Sequence, residues 1–263
     1  RIGIDPGALP DDASVCMCRP LHSFPNATTM PIRRRNELLD WAESRPTNLV
    51  IEDDRPASSC LSDVSVLPLY ARSPKHVILV SECRIGASFH CFFAVMPHTI
   101  AHHARTRWGD GPFESGIPAM QLLCAAQFID EGSYARMIAR QKKRFEEVVG
   151  AFCHVMTLNA NAHVVVGSDS SRRLPTLTAP RVIGARVAPY IAVQLPKRYS
   201  LSSVVDMMAQ RGVMVATTAD WGGSTESSGN ECLVIDLSDV DKENARRSAR
   251  MLCDVLADPQ ACE

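Results

Sequence analysis

The run Asn48 to Glu52 (NLVIE), closed by Asp53 and Asp54, constrains this chain more than any other segment. It is apolar at its centre and lacks strict alternation, which suits a strand covered on both faces of its sheet. Three consecutive carboxylates, Glu52, Asp53 and Asp54, follow its last apolar residue. They therefore stand at the carboxyl end of a strand, where open α/β sheets place their ligands. The competing account is that one of these acids caps a helix.

The rest of the chain can be read around such a sheet. Val15 to Cys18 is a short apolar run stopped at Arg19-Pro20, and a helix is predicted from Pro31 with Ile32, Leu38, Leu39 and Ala42 on one face. His76 to Val80 and Cys91 to Met96 are two further strands without clean alternation, again expected to be covered on both faces. From Met120 to Val155 the pattern is helical. Leu122, Leu123, Ala126 and Ile129 lie in one helix, Gly132 punctuates, and Tyr134, Ile138, Phe145 and Val149 lie in a longer one that bridges two domains. A strand at Tyr190 to Leu195, a helix at Leu201 to Gln210, a strand at Val213 to Ala216, a Gly/Ser-rich loop at Gly222 to Gly229, a strand at Cys232 to Ile235 and a helix at Val240 to Leu256 describe a smaller α+β domain. Ser168 to Thr178 is polar and reads as a loop. The expected division is residues 1–135 for a large α/β domain and 136–263 for the bridging helix and small domain.

Composition excludes several classes. Lys+Arg 28 against Asp+Glu 29 leaves a formal charge of -1, so no global field recruits nucleic acid or an anionic membrane. The most apolar stretch, Val77 to Met96, carries Glu82, Arg84 and His90, which are expensive in hydrocarbon, so it reads as strands rather than a membrane span. Ten cysteines without CxxC pairs read as reduced, mostly buried thiols of a cytoplasmic chain. The first residue is Arg1, and the expectation is a piece of a longer protein.

Local clusters are mostly bland. His98 and His102 share a helix face, but no third metal ligand is evident and a solvated face is the better account. Cys16 and Cys18 point to one side of a strand as small buried hydrophobes. The runs Arg33-Arg34-Arg35 and Gln141-Lys142-Lys143-Arg144 are flanked by acids and read as solvated helix faces. No GxSxG elbow, Walker loop or GxGxxG fingerprint is present.

Longer motifs carry a family resemblance. Arg19-Pro20-Leu21-His22-Ser23-Phe24-Pro25-Asn26-Ala27, then Thr29-Met30, Arg34-Arg35, Leu38-Leu39 and Trp41-Ala42, resembles the TPxHQFPTG, TM, RR, LL, WA stretch of the MocR branch of the GntR regulators, whose fold-type I domain is aminotransferase-like. Val50-Ile51-Glu52-Asp53-Asp54 resembles that family's IIEDDY. Gln121, Ala125-Ala126-Gln127-Phe128-Ile129, Glu131-Gly132, Tyr134-Ala135-Arg136 and Arg144-Phe145 are similar to its helix pair, and weaker likeness continues through Tyr190 to Leu195 and Ala209 to Val213. The resemblance implies an α/β fold: part of a large fold-type I, pyridoxal 5'-phosphate-dependent aminotransferase-like domain, with a smaller C-terminal α+β domain. It also implies a homodimer, and DNA contact only through an upstream winged-helix domain outside this chain.

Several groups that the family's chemistry needs are replaced. An aminotransferase requires a lysine for the imine, an acid on the pyridine nitrogen and partners for the phosphate and ring hydroxyl. Asp53 stands at the family's pyridine-nitrogen acid, while Arg55 stands at the tyrosine that meets the ring hydroxyl. The lysine position falls on Ile85 or Cys83, depending on the direction of counting through a loop expected at Ser81 to His90, and no lysine occurs between Lys75 and Lys142. Arg84 stays protonated and forms no imine. His90 replaces an arginine, Ala27 the glycine of the family's turn, and Asn230-Glu231-Cys232 stands where a substrate-carboxylate arginine is expected. The leading expectation is a catalytically inactive sensing or dimerisation module, a pseudoenzyme that binds no cofactor covalently, pyridoxal 5'-phosphate being the family's cofactor and open to loss here. Its vestigial pocket would hold Asp53, Arg55, His22 and His90, with no metal, and would meet an unidentified small molecule. One alternative is a PLP-dependent class I/II aminotransferase completed by a lysine from elsewhere. The other is a small-anion binding protein using Arg55, Arg84 and His90.

Overall fold

The computed structural model describes residues 4–21, 23–25, 28–54, 67–85, 89–108, 118–165, 177–185, 190–221 and 231–262. A first sheet holds β1 (Val15–Cys18), β2 (Leu49–Asp53), β3 (Val77–Ile85) and β4 (Phe89–Val95) in that order. β1, β2 and β3 are parallel, and β4 returns antiparallel to β3. Between β1 and β2 runs α1 (Ile32–Glu43), entered through Pro31. Its buried residues Arg35, Leu38, Leu39 and Ala42 follow the spacing of one helix face, and the three apolar ones pack with Cys16, Cys18, Val50 and Val77 into the first core.

Two expectations are corrected here. Ile32 is exposed, and Arg35 takes the buried position that the apolar pattern assigned to it. Its guanidinium is satisfied by backbone: Nε donates to the Met30 carbonyl at 3.0 Å and Nη2 to the Pro20 carbonyl at 2.9 Å. Arg33 and Arg34 stay nearer the surface, Arg33 on Glu37 and Arg34 on Asp5 and Glu37. The sheet is also not covered throughout, since Val15 and Met17 are exposed opposite the α1 face, as are Phe92, Phe93 and Val95 on β4.

The stretch from Ser81 to His90, expected as a loop, is mostly ladder. β2 pairs with β3 only as far as Asp53 against Val80, whereas β3 and β4 continue pairing out to Ile85 against Phe89. Among the described residues a two-stranded ribbon thus projects beyond the sheet, and the exposed Phe92 and Phe93 lie on it. The polypeptide then forms α2 (Leu69–Arg72) before β3, and α3 (His98–Trp108), α4 (Ala119–Asp130) and α5 (Ser133–Ala160) after β4.

α5 has 28 residues, and its last turns, Val148 to Met156, enter a second core. That core lies against a five-stranded sheet of β5 (His163–Val165), β6 (Arg181–Ile183), β7 (Tyr190–Gln194), β8 (Ala216–Thr217) and β9 (Cys232–Asp236), in the order β5-β6-β7-β9-β8. α6 (Leu201–Gln210) is capped by Ser200 and α7 (Lys242–Ala257) by Asp241, each side chain accepting from a first-turn amide. β8 replaces the strand expected at Val213 to Ala216, and β5 and β6 were not anticipated. The Gly222 to Gly229 loop, and Ser168 to Thr178 up to residue 176, lie outside the described residues. No described helix is long and apolar enough to cross a membrane.

Candidate functional site

The carboxylates after β2 divide into three different environments. Glu52 is fully buried, and its two oxygens accept from the Leu69 and Tyr70 amides at 2.9 and 3.0 Å. It caps the first turn of α2, which is the competing account raised by the sequence. Burial pushes its carboxyl up, and those two amides pull it partly back.

Asp53 has no exposed side-chain surface, and its Oδ2 accepts from Arg19 Nε at 2.8 Å. Arg19 stands at the threonine of the TPxHQFPTG stretch, so a permanent cation rests on the acid that the resemblance sets at the pyridine nitrogen. The sequence held the signal, an arginine in place of that threonine, but no spacing rule connects residues 34 apart. Asp54 is different again. Its carboxyl is pushed up to about 7, first by burial and then by Glu52 and Asp53, and its buried Oδ1 has no hydrogen-bond partner.

Of the remaining expected site residues only His90 is described, and it does not meet this point. His22, Arg55 and Ala27 lie outside the described residues. His90 sits on the ribbon, its Nε2 2.9 Å from Glu82 Oε2 and its ring 4.5 Å from that of Phe92. It stands opposite Arg84, four residues along β3 from Val80, the partner of Asp53. At about 3.3 Å per residue, that separation is about 13 Å. The two lysine registers are both strand positions: Ile85 ends β3, and Cys83 is buried within it. Burial raises the Cys83 thiol, which stands opposite Cys91 in the ladder.

Solved structures share this architecture. An archaeal alanine:glyoxylate aminotransferase superposes with a TM-score of 0.71 at 16% identity, over 92% of this chain and 56% of its own. The α-aminoadipate aminotransferase LysN of Thermus thermophilus, solved with N-(5'-phosphopyridoxyl)-L-leucine, gives 0.65 at 17% identity, over 92% of this chain and 58% of its own. The fold is that of the pyridoxal-phosphate-dependent aminotransferases. In sequence, the HTH-type pyridoxine biosynthesis transcriptional regulator PdxR of Corynebacterium glutamicum is 24% identical over 187 residues, 67% of this chain. The chain spans 41% of that relative's length, and no family profile matches it. Together these support the resemblance to a MocR-type aminotransferase-like domain.

Pyridoxal phosphate is the cofactor this fold implies, and the residues present do not fit it as a covalently held group. No amine occurs from His76 to His90, the stretch that spans both lysine registers. Asp53, the acid that the resemblance sets against a protonated pyridine nitrogen, already faces a guanidinium that would repel such a cation.

Proposed function

We propose that this chain is the aminotransferase-like domain of a MocR-type transcription regulator, acting as a ligand-sensing or dimerisation module without transaminase chemistry. The observation that carries this reading is the Arg19–Asp53 ion pair beside a lysine-free β3. A transaminase needs a proton-holding pyridine nitrogen and a covalent anchor together, and a guanidinium on Asp53 and a β3 without lysine argue against both. The division at residues 135 and 136 falls in the first turn of α5, between elements that feed two separate cores. In this reading the protein works in the cytoplasm as a homodimer, and DNA contact comes from a domain outside this sequence, since a formal charge of -1 offers no phosphate-binding field.

The test is borohydride reduction after incubation with pyridoxal phosphate, followed by peptide mapping. No phosphopyridoxyl group is expected between His76 and His90. A single stoichiometric label on any one lysine, with an absorbance band that saturates, would instead identify a working cofactor site.

A further inference from the structure

Two thiols meet on the ribbon that β3 and β4 form beyond the sheet. Cys83 stands directly opposite Cys91. Opposed residues of an antiparallel pair have Cα atoms about 4.5 or about 5.5 Å apart, depending on the hydrogen-bonding position. Both spacings fall within the roughly 4.4–6.8 Å that a disulfide spans. Opposed side chains of such a pair project from the same face, so the Cys83 and Cys91 thiols stand on one side of the ribbon. Cys83 is buried and Cys91 is partly open, so one thiol is reachable and the other waits behind it.

We propose that Cys83 and Cys91 form a reversible cross-strand disulfide, making the ribbon a modification site for small disulfides of the glutathione class. The assignment stands on the ribbon's register alone and holds whether or not the proposed function does. The Cys91 thiolate attacks one sulfur of oxidised glutathione, giving a mixed disulfide and one glutathione thiolate. Cys83 then loses its proton and attacks the Cys91 sulfur, releasing the second glutathione. Two protein S–H bonds and one glutathione S–S bond are lost, and one protein S–S bond forms. The two protons finish on the two glutathione thiols, and two electrons pass from protein to glutathione disulfide. Burial raises the Cys83 thiol, consistent with Cys91 as the entry point and Cys83 as the resolving group.

The experiment equilibrates the reduced chain with oxidised glutathione, blocks free thiols by alkylation and maps tryptic peptides. Cleavage after Arg84 places Cys83 and Cys91 in different peptides, so the expected product is one disulfide-joined pair, absent after dithiothreitol. In Cys83→Ser, glutathione should remain trapped on Cys91; in Cys91→Ser, Cys83 should stay free. Recovery of both peptides separately alkylated while exposed Cys124 or Cys262 carries glutathione would overturn the proposal, as would linkage of either thiol to another cysteine. Wild-type mapping decides the matter even if a variant fails to fold.

Discussion

Arg19 and Asp53 form a pair in which one side chain is fully buried and the other is 36% exposed. Removing the cation leaves a carboxylate without its partner, so Arg19→Met should lower stability in urea by about 2 kcal/mol, less than a fully buried pair would lose. Adding Asp53→Asn to that variant should recover most of the loss. Asp54 has the opposite problem, because its carboxyl titrates at about 7 when folded but in the ordinary range when unfolded. Its favourable contribution is complete below about pH 4 and is lost as pH rises to about 7, since the unfolded chain sheds that proton first. Asp54→Asn should therefore flatten the pH dependence of Tm in this window and stabilise the chain at pH 8 by about 1 kcal/mol, after allowing for its partial exposure. Restoring an amine by Cys83→Lys or Ile85→Lys should yield no amino-acid turnover, because groups that act as a unit fail together; measurable transamination by either variant would refute the inactive reading. At this scale the carboxylates after β2 were legible in the sequence, whereas the partners of Arg19 and Arg35 were not. Both arginines are held by tertiary contacts, and no local pattern encodes those.

Elements were legible in proportion to their length and to the clarity of their caps. α6 was read with its observed bounds, Leu201–Gln210, because Ser200 caps it and its apolar positions recur at helical spacing. β5 and β6 have three residues each, too few for any period to register. The ribbon was misread as a loop because pairing between β3 and β4, not composition, defines it. Gly132 was read correctly as punctuation: it joins α4 to α5 at φ +70°, where a side chain is strained. Gly132→Ala should cost about 1 kcal/mol in thermal unfolding without altering either core.

Among the described residues two hydrophobic cores serve two sheets, and Phe24 meets Tyr190 edge-on with ring centroids 5.2 Å apart as one link between them. Phe152→Ala, deep in the second core, should cost about 4 kcal/mol. Hydrogen exchange should report that loss in β7, β9 and α7 while β1 and β2 keep their protection; uniform loss would mean that the two cores unfold as one unit. The projecting ribbon has a practical consequence for anyone handling the protein. Among the described residues β4 ends its sheet, and Phe92, Phe93 and Val95 on it are exposed. An open strand edge rich in aromatics is a template on which another chain's strand can nucleate. Seeding at this edge is therefore the expected route by which concentrated samples are lost, and a single gatekeeper charge, Phe92→Lys, should lengthen the lag before turbidity.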